Sequence, residues 1–474
     1  MLAAATVPVT APPIGDMTVT VAGRNWPIEL VLTRHTSVFN AAGLPAVSVP
    51  MALDQESGLP VGLQLAGAAM SDDTVLGAAR LAEALTPSLP RPAPHPLEEP
   101  GMRVTAAVVD RLGGPFRLEE LELDEPGPGE ALVKVTASGV CHTDEITRHG
   151  DLPMPFPCVL GHEGAGVVAA TGAGVSGVRP GDHVVIGWPS CGACRNCLDG
   201  EPRYCARLGE ALCGGGRLLG PLAGRSALRR DGGSPVHSHF FGQSSFSTYA
   251  LTWADALVVV PRQAPLDLLG PLACGISTGA GAVFHTLQPR PGSSLVVYGA
   301  GAVGLAAVMA ARLSPATTIV AVDRHPSRLA LATELGATHT VDAGRAGADP
   351  VAEVHRICGG PADYALECTG VIPVVRQAAD SVGMLGTCVL VGGAPAGAEF
   401  GLDHLSTLWG KRVVGVLGGG GRSRPLIGAL AELHRQGRFP FDRLIRFYDL
   451  ADIDRALDDS RRGEVLKPVL RMNH

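Results

Sequence analysis

Lysine is nearly missing from this chain of 474 residues: Lys134, Lys411 and Lys467 are the only three. Aromatic residues are scarce at 4%, and charged residues reach only 18%. The net charge of -7 is modest and acidic, which argues against a nucleic-acid partner. No apolar run reaches the roughly 18 residues that a spanning helix needs, which argues against a membrane protein. Residues 1–17 lack the basic stretch that opens a secretory signal, so the expected location is the cytoplasm. In that reducing compartment the eleven cysteines are read as metal ligands or free thiols before disulfides. Hydrophobic residues are plentiful at 46%, which excludes gross disorder and supplies a large core. The 62 glycines and 38 prolines demand many turns. At roughly 100–200 residues per domain, the length predicts about three domains.

Residues 87–100 hold six prolines, the composition of a semi-rigid spacer, and 87–101 is read as a linker. A self-contained pattern opens at Met102. Short strands such as 131–135, 166–170 and 184–186 come first, between Gly and Pro turns. From about residue 271 strands alternate with helix-like stretches: 294–298, 318–322 and 388–391 against 328–335. That alternation predicts a parallel sheet in an α/β domain.

Cys191, Cys194, Cys197 and Cys205 form a C-x2-C-x2-C-x7-C series. Four thiolates at knuckle spacing complete a tetrahedron, the closed shell of a structural zinc. A second set is dispersed: Cys141, His162 and Cys274. One His and two Cys would leave a zinc ion one open position, but spacing does not join them. Gly299-Ala-Gly-Ala-Val-Gly304 follows an apolar strand and opens a helix-like segment. Asp323 ends the next strand, about twenty residues on, as a dinucleotide site requires. Gly299, Gly301 and Gly304 would let a pyrophosphate reach a helix N-terminus. Asp323 would accept from the adenosine ribose hydroxyls and repel a 2′-phosphate, favouring NAD. The run Gly418–Gly421 lacks a following Lys-Ser/Thr and reads as a turn.

These motifs resemble the zinc-dependent medium-chain alcohol dehydrogenases. The resemblance runs from Met102 to the C-terminus. Cys141-His-Thr-Asp144, Phe240-Phe-Gly-Gln-Ser-Ser-Phe246 and Gly437-Arg-Phe-Pro-Phe441 are similar to the bacterial aryl-alcohol (benzyl-alcohol) subgroup. It implies a GroES-like β-rich catalytic domain over 102–275, an NAD-binding Rossmann domain (a doubly wound parallel sheet) over 276–416, and a return to the catalytic domain over 417–474. It also joins Cys141, His162 and Cys274 into the catalytic zinc site, beside the structural zinc, giving two Zn2+ per chain. Glu163 would be the acidic neighbour of the catalytic zinc. Thr143 would accept the alcohol proton, and Asp144 would orient His162. His142 would meet the cofactor pyrophosphate, Thr278 and Val303 the nicotinamide, Arg328 the adenosine ribose. Lys467 would be a basic cofactor contact. Many members carry a relay histidine where this chain has Ile146. Trp188 is a candidate wall of the alcohol pocket. The implied reaction moves hydride from a primary, aromatic alcohol to NAD, giving the aldehyde. A thiol-adduct formaldehyde dehydrogenase of the same family shares the motifs. The implied partners are a small alcohol or aldehyde and further copies of the chain, as homodimer or homotetramer.

Residues 28–86 resemble the C-terminal part of amidase-signature hydrolases, through Thr33-Arg-His-Thr-Ser-Val-Phe-Asn-Ala-Ala-Gly43 and Gly58-Leu-Pro-Val-Gly-Leu-Gln-Leu-Ala-Gly67. That family's Ser–Ser–Lys triad has no counterpart here, and residues 1–86 contain no lysine. Residues 1–86 are therefore expected to be a non-catalytic amidase-like fragment, a fusion remnant or the product of a misassigned start. Its strands look shaped for a larger sheet.

Overall fold

A computed structural model describes residues 1–7, 9, 18–21, 23–55, 59–86, 101–421 and 423–473. The chain divides into two compact units, Met1–Glu99 and Pro100–His474. Nearly all of the expected linker, 87–100, lies outside the described residues.

In the first unit Leu2–Ala5, Pro60–Ala66 and Ala46–Leu53 form a three-stranded antiparallel sheet. The strands expected to need a larger sheet thus pair with one another. The helix Asp72–Leu85 packs on the strand Ala46–Leu53. The buried cluster is small: Val49, Leu65 and Ala79. Val38, Met51, Leu76, Leu81 and Leu85 stay exposed.

The second unit holds two antiparallel-rich sheets and one parallel sheet. Met102–Val109 and Phe116–Leu123 form a hairpin in a five-stranded sheet. The long strand Glu130–Gly139 anchors a seven-stranded sheet, flanked by Gly164–Thr171 and Tyr249–Trp253. The last strand, Lys467–Arg471, also pairs with it, so the chain's end returns to its β-rich domain. In between, six parallel strands run in the spatial order His339–Asp342, Thr318–Asp323, Ser294–Tyr298, Ala362–Glu367, Val382–Leu390, Arg412–Gly415. This is the doubly wound dinucleotide-binding order. Ser294–Tyr298 is buried at every position, as a strand covered by helices on both faces must be. The helix Ala302–Arg312 starts right after it, and residues 304–311 are all buried. Gly299 has φ of +93° and turns the chain into that helix. A Cβ on Gly304 would lie 1.8 Å from the Gly299 carbonyl oxygen, so only glycine fits there.

Candidate active site

The Cys191, Cys194, Cys197 and Cys205 sulfurs lie within 4.8 Å of one another. Backbone amides point at them. Cys194 N donates to Cys191 Sγ at 3.3 Å, and Cys191 N donates to Cys205 Sγ at 3.3 Å. Ala206 N donates to Cys194 Sγ at 3.3 Å. That last bond, with the Cys197 amide, brings the Cys194 thiol down to about 6. The Ala193 amide likewise lowers Cys191. Amides that stabilise thiolates prepare the knuckle for a divalent cation, and four sulfurs leave it no open position.

Cys141, His162, Cys274 and Glu163 form the second group, again within 4.8 Å. Three separate segments deliver them. Cys141 sits at the start of the helix His142–His149, whose Asp144 carboxylate accepts from Cys141 N at 2.9 Å. The same carboxylate accepts from Gly161 N at 3.1 Å and meets His162 Nδ1 at 3.1 Å. Asp144 thereby fixes which ring nitrogen carries the proton. His162 is fully buried, and its Nε2 has no partner among the described residues. Burial alone would lower the His162 pKa, but Asp144 raises it to about 10. Bonding between the two thiols holds Cys141 well below the ordinary thiol range and pushes Cys274 well above it. An orphaned imidazole nitrogen facing two sulfurs is a donor set that fits zinc, whose binding would displace the protons still held by His162 Nε2 and Cys274.

The Lys467 ammonium lies 2.9 and 3.0 Å from the two Glu163 oxygens and 3.1 Å from the Val140 carbonyl. Lys467 is therefore committed to Glu163 within the metal site. Glu163 holds Lys467 cationic against burial, with its pKa raised. Gly275 is the meeting point, because a Cβ there would find Lys467, Glu163 and Val303 between 3.6 and 3.7 Å away.

The other sequence-predicted residues fall around this centre. Thr143 Oγ1 is 3.5 Å from Cys141 Sγ. His142 is exposed at the first turn of its helix. The Thr278 hydroxyl donates to the Cys274 carbonyl at 2.8 Å. A Cβ on Gly301 would meet nothing within 4 Å, so the backbone there is open to a phosphate. Asp323 accepts from Ala300 N at 2.7 Å and from His325 N at 2.8 Å, which fixes its carboxylate at the end of its strand. Arg328 lies near Gly463, and its Nε is buried without a partner among the described residues. Ile146 is half-buried, and nearby His149 is exposed, bonded to the Glu145 carbonyl.

Aromatic rings wall the second group. Phe241 stacks on His162 at 4.5 Å, Phe240 meets it edge-on at 5.4 Å, and Trp188 meets Phe241 edge-on at 4.9 Å. Two side chains were not foreseen. Gln243 donates to the His162 and Ile186 carbonyls at 3.0 and 3.1 Å and accepts from Gly164 N at 2.9 Å. Arg203 lies over the Trp188 ring at 4.1 Å, buried, with its guanidinium nitrogens unpaired among the described residues. Burial lowers its pKa to about 10, so it stays cationic. Nothing in the run Glu201-Pro-Arg-Tyr-Cys205 marks that arginine as different from a surface one.

The alcohol dehydrogenase GroES-like domain matches residues 127–262, and the zinc-binding dehydrogenase model matches 302–434. Geraniol dehydrogenase of Castellaniella defragrans is 42% identical over 370 residues, 77% of this chain and 96% of that protein. The chain belongs to the zinc-binding alcohol dehydrogenase family. Benzyl alcohol dehydrogenase from Acinetobacter calcoaceticus is 42% identical, with a TM-score of 0.74 over 78% of this chain and 100% of that one. S-(hydroxymethyl)glutathione dehydrogenase of Paracoccus denitrificans is 34% identical over 379 residues, 78% of this chain and 100% of that protein. This alcohol dehydrogenase uses zinc and a nicotinamide dinucleotide, as its family does. Its first unit carries a separate likeness: the amidase family model matches residues 1–76.

Proposed function

We propose that this alcohol dehydrogenase oxidises primary alcohols, aromatic ones foremost, to aldehydes with NAD. The observation that carries the reading is the ring wall: Trp188 and Phe241 lead up to His162. Geraniol and benzyl alcohol, named in two relatives, both carry the hydroxymethyl group next to a π system. A flat π substrate suits a pocket of edge-on and stacked rings.

Cys141, His162 and Cys274 would hold the catalytic zinc, and the four-cysteine knuckle the structural one. When bound, zinc polarises the alcohol oxygen and the nicotinamide accepts the hydride. The chain's own groups do the rest. Asp144 holds the His162 ring so that Nε2 faces the thiols. Thr143, beside Cys141, accepts the alcohol proton. With Ile146 in place of a histidine relay, that proton leaves through water. Phe240, Phe241 and Trp188 exclude solvent from the reacting carbon. Gly299, Gly301, Gly304 and His142 would receive the pyrophosphate. Asp323 and Arg328 would receive the adenosine ribose, with Asp323 selecting NAD over NADP. Val303 and Thr278 would press on the nicotinamide. The Lys467 ammonium, paired with Glu163, would be a basic contact for the cofactor.

The wider reading is a cytoplasmic homodimer or homotetramer, with a catalytic domain over 102–275 and 417–474 around a cofactor domain over 276–416. Residues 1–86 are proposed to take no part in catalysis.

A substrate panel followed by NADH absorbance, with zinc measured on the same sample, tests this. Expected are two zinc ions per chain and benzyl alcohol oxidation without added thiol. Oxidation of formaldehyde only with a thiol present would move the assignment to the second reading, the activity named in the Paracoccus denitrificans relative.

A further inference from the structure

Three arginines of the second unit are nearly fully buried: Arg148, Arg203 and Arg217. Two are matched. Arg217 meets Glu130 at 2.9 Å and Asp124 at 3.0 Å. Arg148 meets Glu145 at 2.9 Å and Asp454 at 3.2 Å. Arg203 has no carboxylate, and Nε, Nη1 and Nη2 all lack a partner among the described residues. A buried cation without a counter-charge is costly, and a fold retains one where something else completes it.

Its setting says what that is. The guanidinium carbon lies over the Trp188 ring at 4.1 Å, so one face is covered, and its unpaired N–H groups lie in the buried interior beside that ring. Trp188 touches Phe241, and Phe241 stacks on His162, so the arginine ends a line of rings that starts at the metal ligands. Gly418 packs against both groups at once, since a Cβ there would stand 3.1 Å from the Arg203 Cζ and 3.2 Å from Trp188. We propose that Arg203 is a specificity-determining residue that receives a carboxylate on the substrate, at the end of the ring opposite the hydroxymethyl group. The planar N–H fork matches a carboxylate in bidentate fashion. The inference rests on the alcohol dehydrogenase reading above.

Binding tests it apart from turnover. Benzamide and 4-carbamoylbenzoate, two unreactive aldehyde mimics, are titrated calorimetrically into the zinc-loaded, NADH-bound full chain. The wild type is expected to favour the carboxylate by at least tenfold. Arg203→Met should abolish that preference, a loss of about tenfold or more, and Arg203→Lys should restore part of it. Should Arg203→Met fail to fold, Arg203→Lys and Arg203→Gln carry the comparison. A wild type that prefers benzamide, binds neither compound, or keeps its preference within threefold in the variants overturns the proposal. A parallel assay compares kcat/KM for 4-(hydroxymethyl)benzoate and benzyl alcohol. Benzyl alcohol turnover without the carboxylate preference sinks the Arg203 assignment alone. The preference without any alcohol turnover sinks the alcohol oxidation alone.

Discussion

The two cysteine sites solve one problem in opposite ways. In the knuckle, Cys191, Cys194, Cys197 and Cys205 are close in sequence, and local amides prepare their sulfurs. In the buried site the ligands come from three segments, and carboxylates arranged by the whole fold prepare them. One site is a property of a loop, the other of a domain. The difference teaches where damage should show: in local stability for the knuckle, in chemistry for the buried site.

The sharpest break would come from one serine in each. Cys141→Ser is expected to lower kcat/KM at least ~10^3-fold, the loss of several kcal/mol of charge stabilisation. Its Tm should move less than that of Cys194→Ser, which loses a folding-linked metal. NADH assays with zinc content and thermal melts on both variants check this. A Cys141→Ser protein with full activity would end the distinction.

The next largest effect is expected at Lys467→Met. It leaves Glu163 charged and alone in a buried site, at a cost of about 3–5 kcal/mol. Glu163→Gln together with Lys467→Met should recover much of that in urea titrations. A double variant as unstable as the sum of the singles would show that the pair is not coupled.

Asp144→Asn should weaken zinc at the buried site about 10–100-fold and leave the knuckle alone. Chelator competition should then show two zinc phases, with one shifted. Movement of both would mean that the sites are not independent.

The smallest effect concerns acid. Burial, helped by the Arg217 charge, lowers the His239 pKa to about 3. Its unfolded pKa is near 6.5, so between those values the unfolded chain binds the extra proton. Stability is complete above about pH 6.5 and falls as the pH drops toward 3, by at most about 1.4 kcal/mol per pH unit. His239→Gln should flatten the urea-measured slope by one proton in that window. An unchanged slope would place the acid sensitivity elsewhere.

Legibility followed the same divide. The knuckle and the turn Gly299–Gly304 were readable because their geometry depends on spacing within one turn or loop. The parallel order was readable from strands alternating with helices. Cys141, His162 and Cys274 were joined only through resemblance, since nothing local to each names the other two. Lys467 was expected at the cofactor, and its side chain is also committed to Glu163, a contact across 304 positions that no local pattern carries. Arg203 was invisible because what distinguishes it is a missing counter-charge, a property of the folded environment alone.

The strand Lys467–Arg471 has a consequence for how the protein is made. It lies between Glu130–Gly139 and Ile445–Asp449 in its sheet. Its lysine neutralises a carboxylate synthesised more than 300 residues earlier. Until that strand leaves the ribosome, Glu163 lacks its lysine and the edge strand Ile445–Asp449 has no neighbour to join it to the sheet. Nascent chains therefore hold an incomplete reaction centre until those more than 300 intervening residues have been made. Such long-range closure is slow, and a chain shortened before Lys467 would be inert as well as unstable.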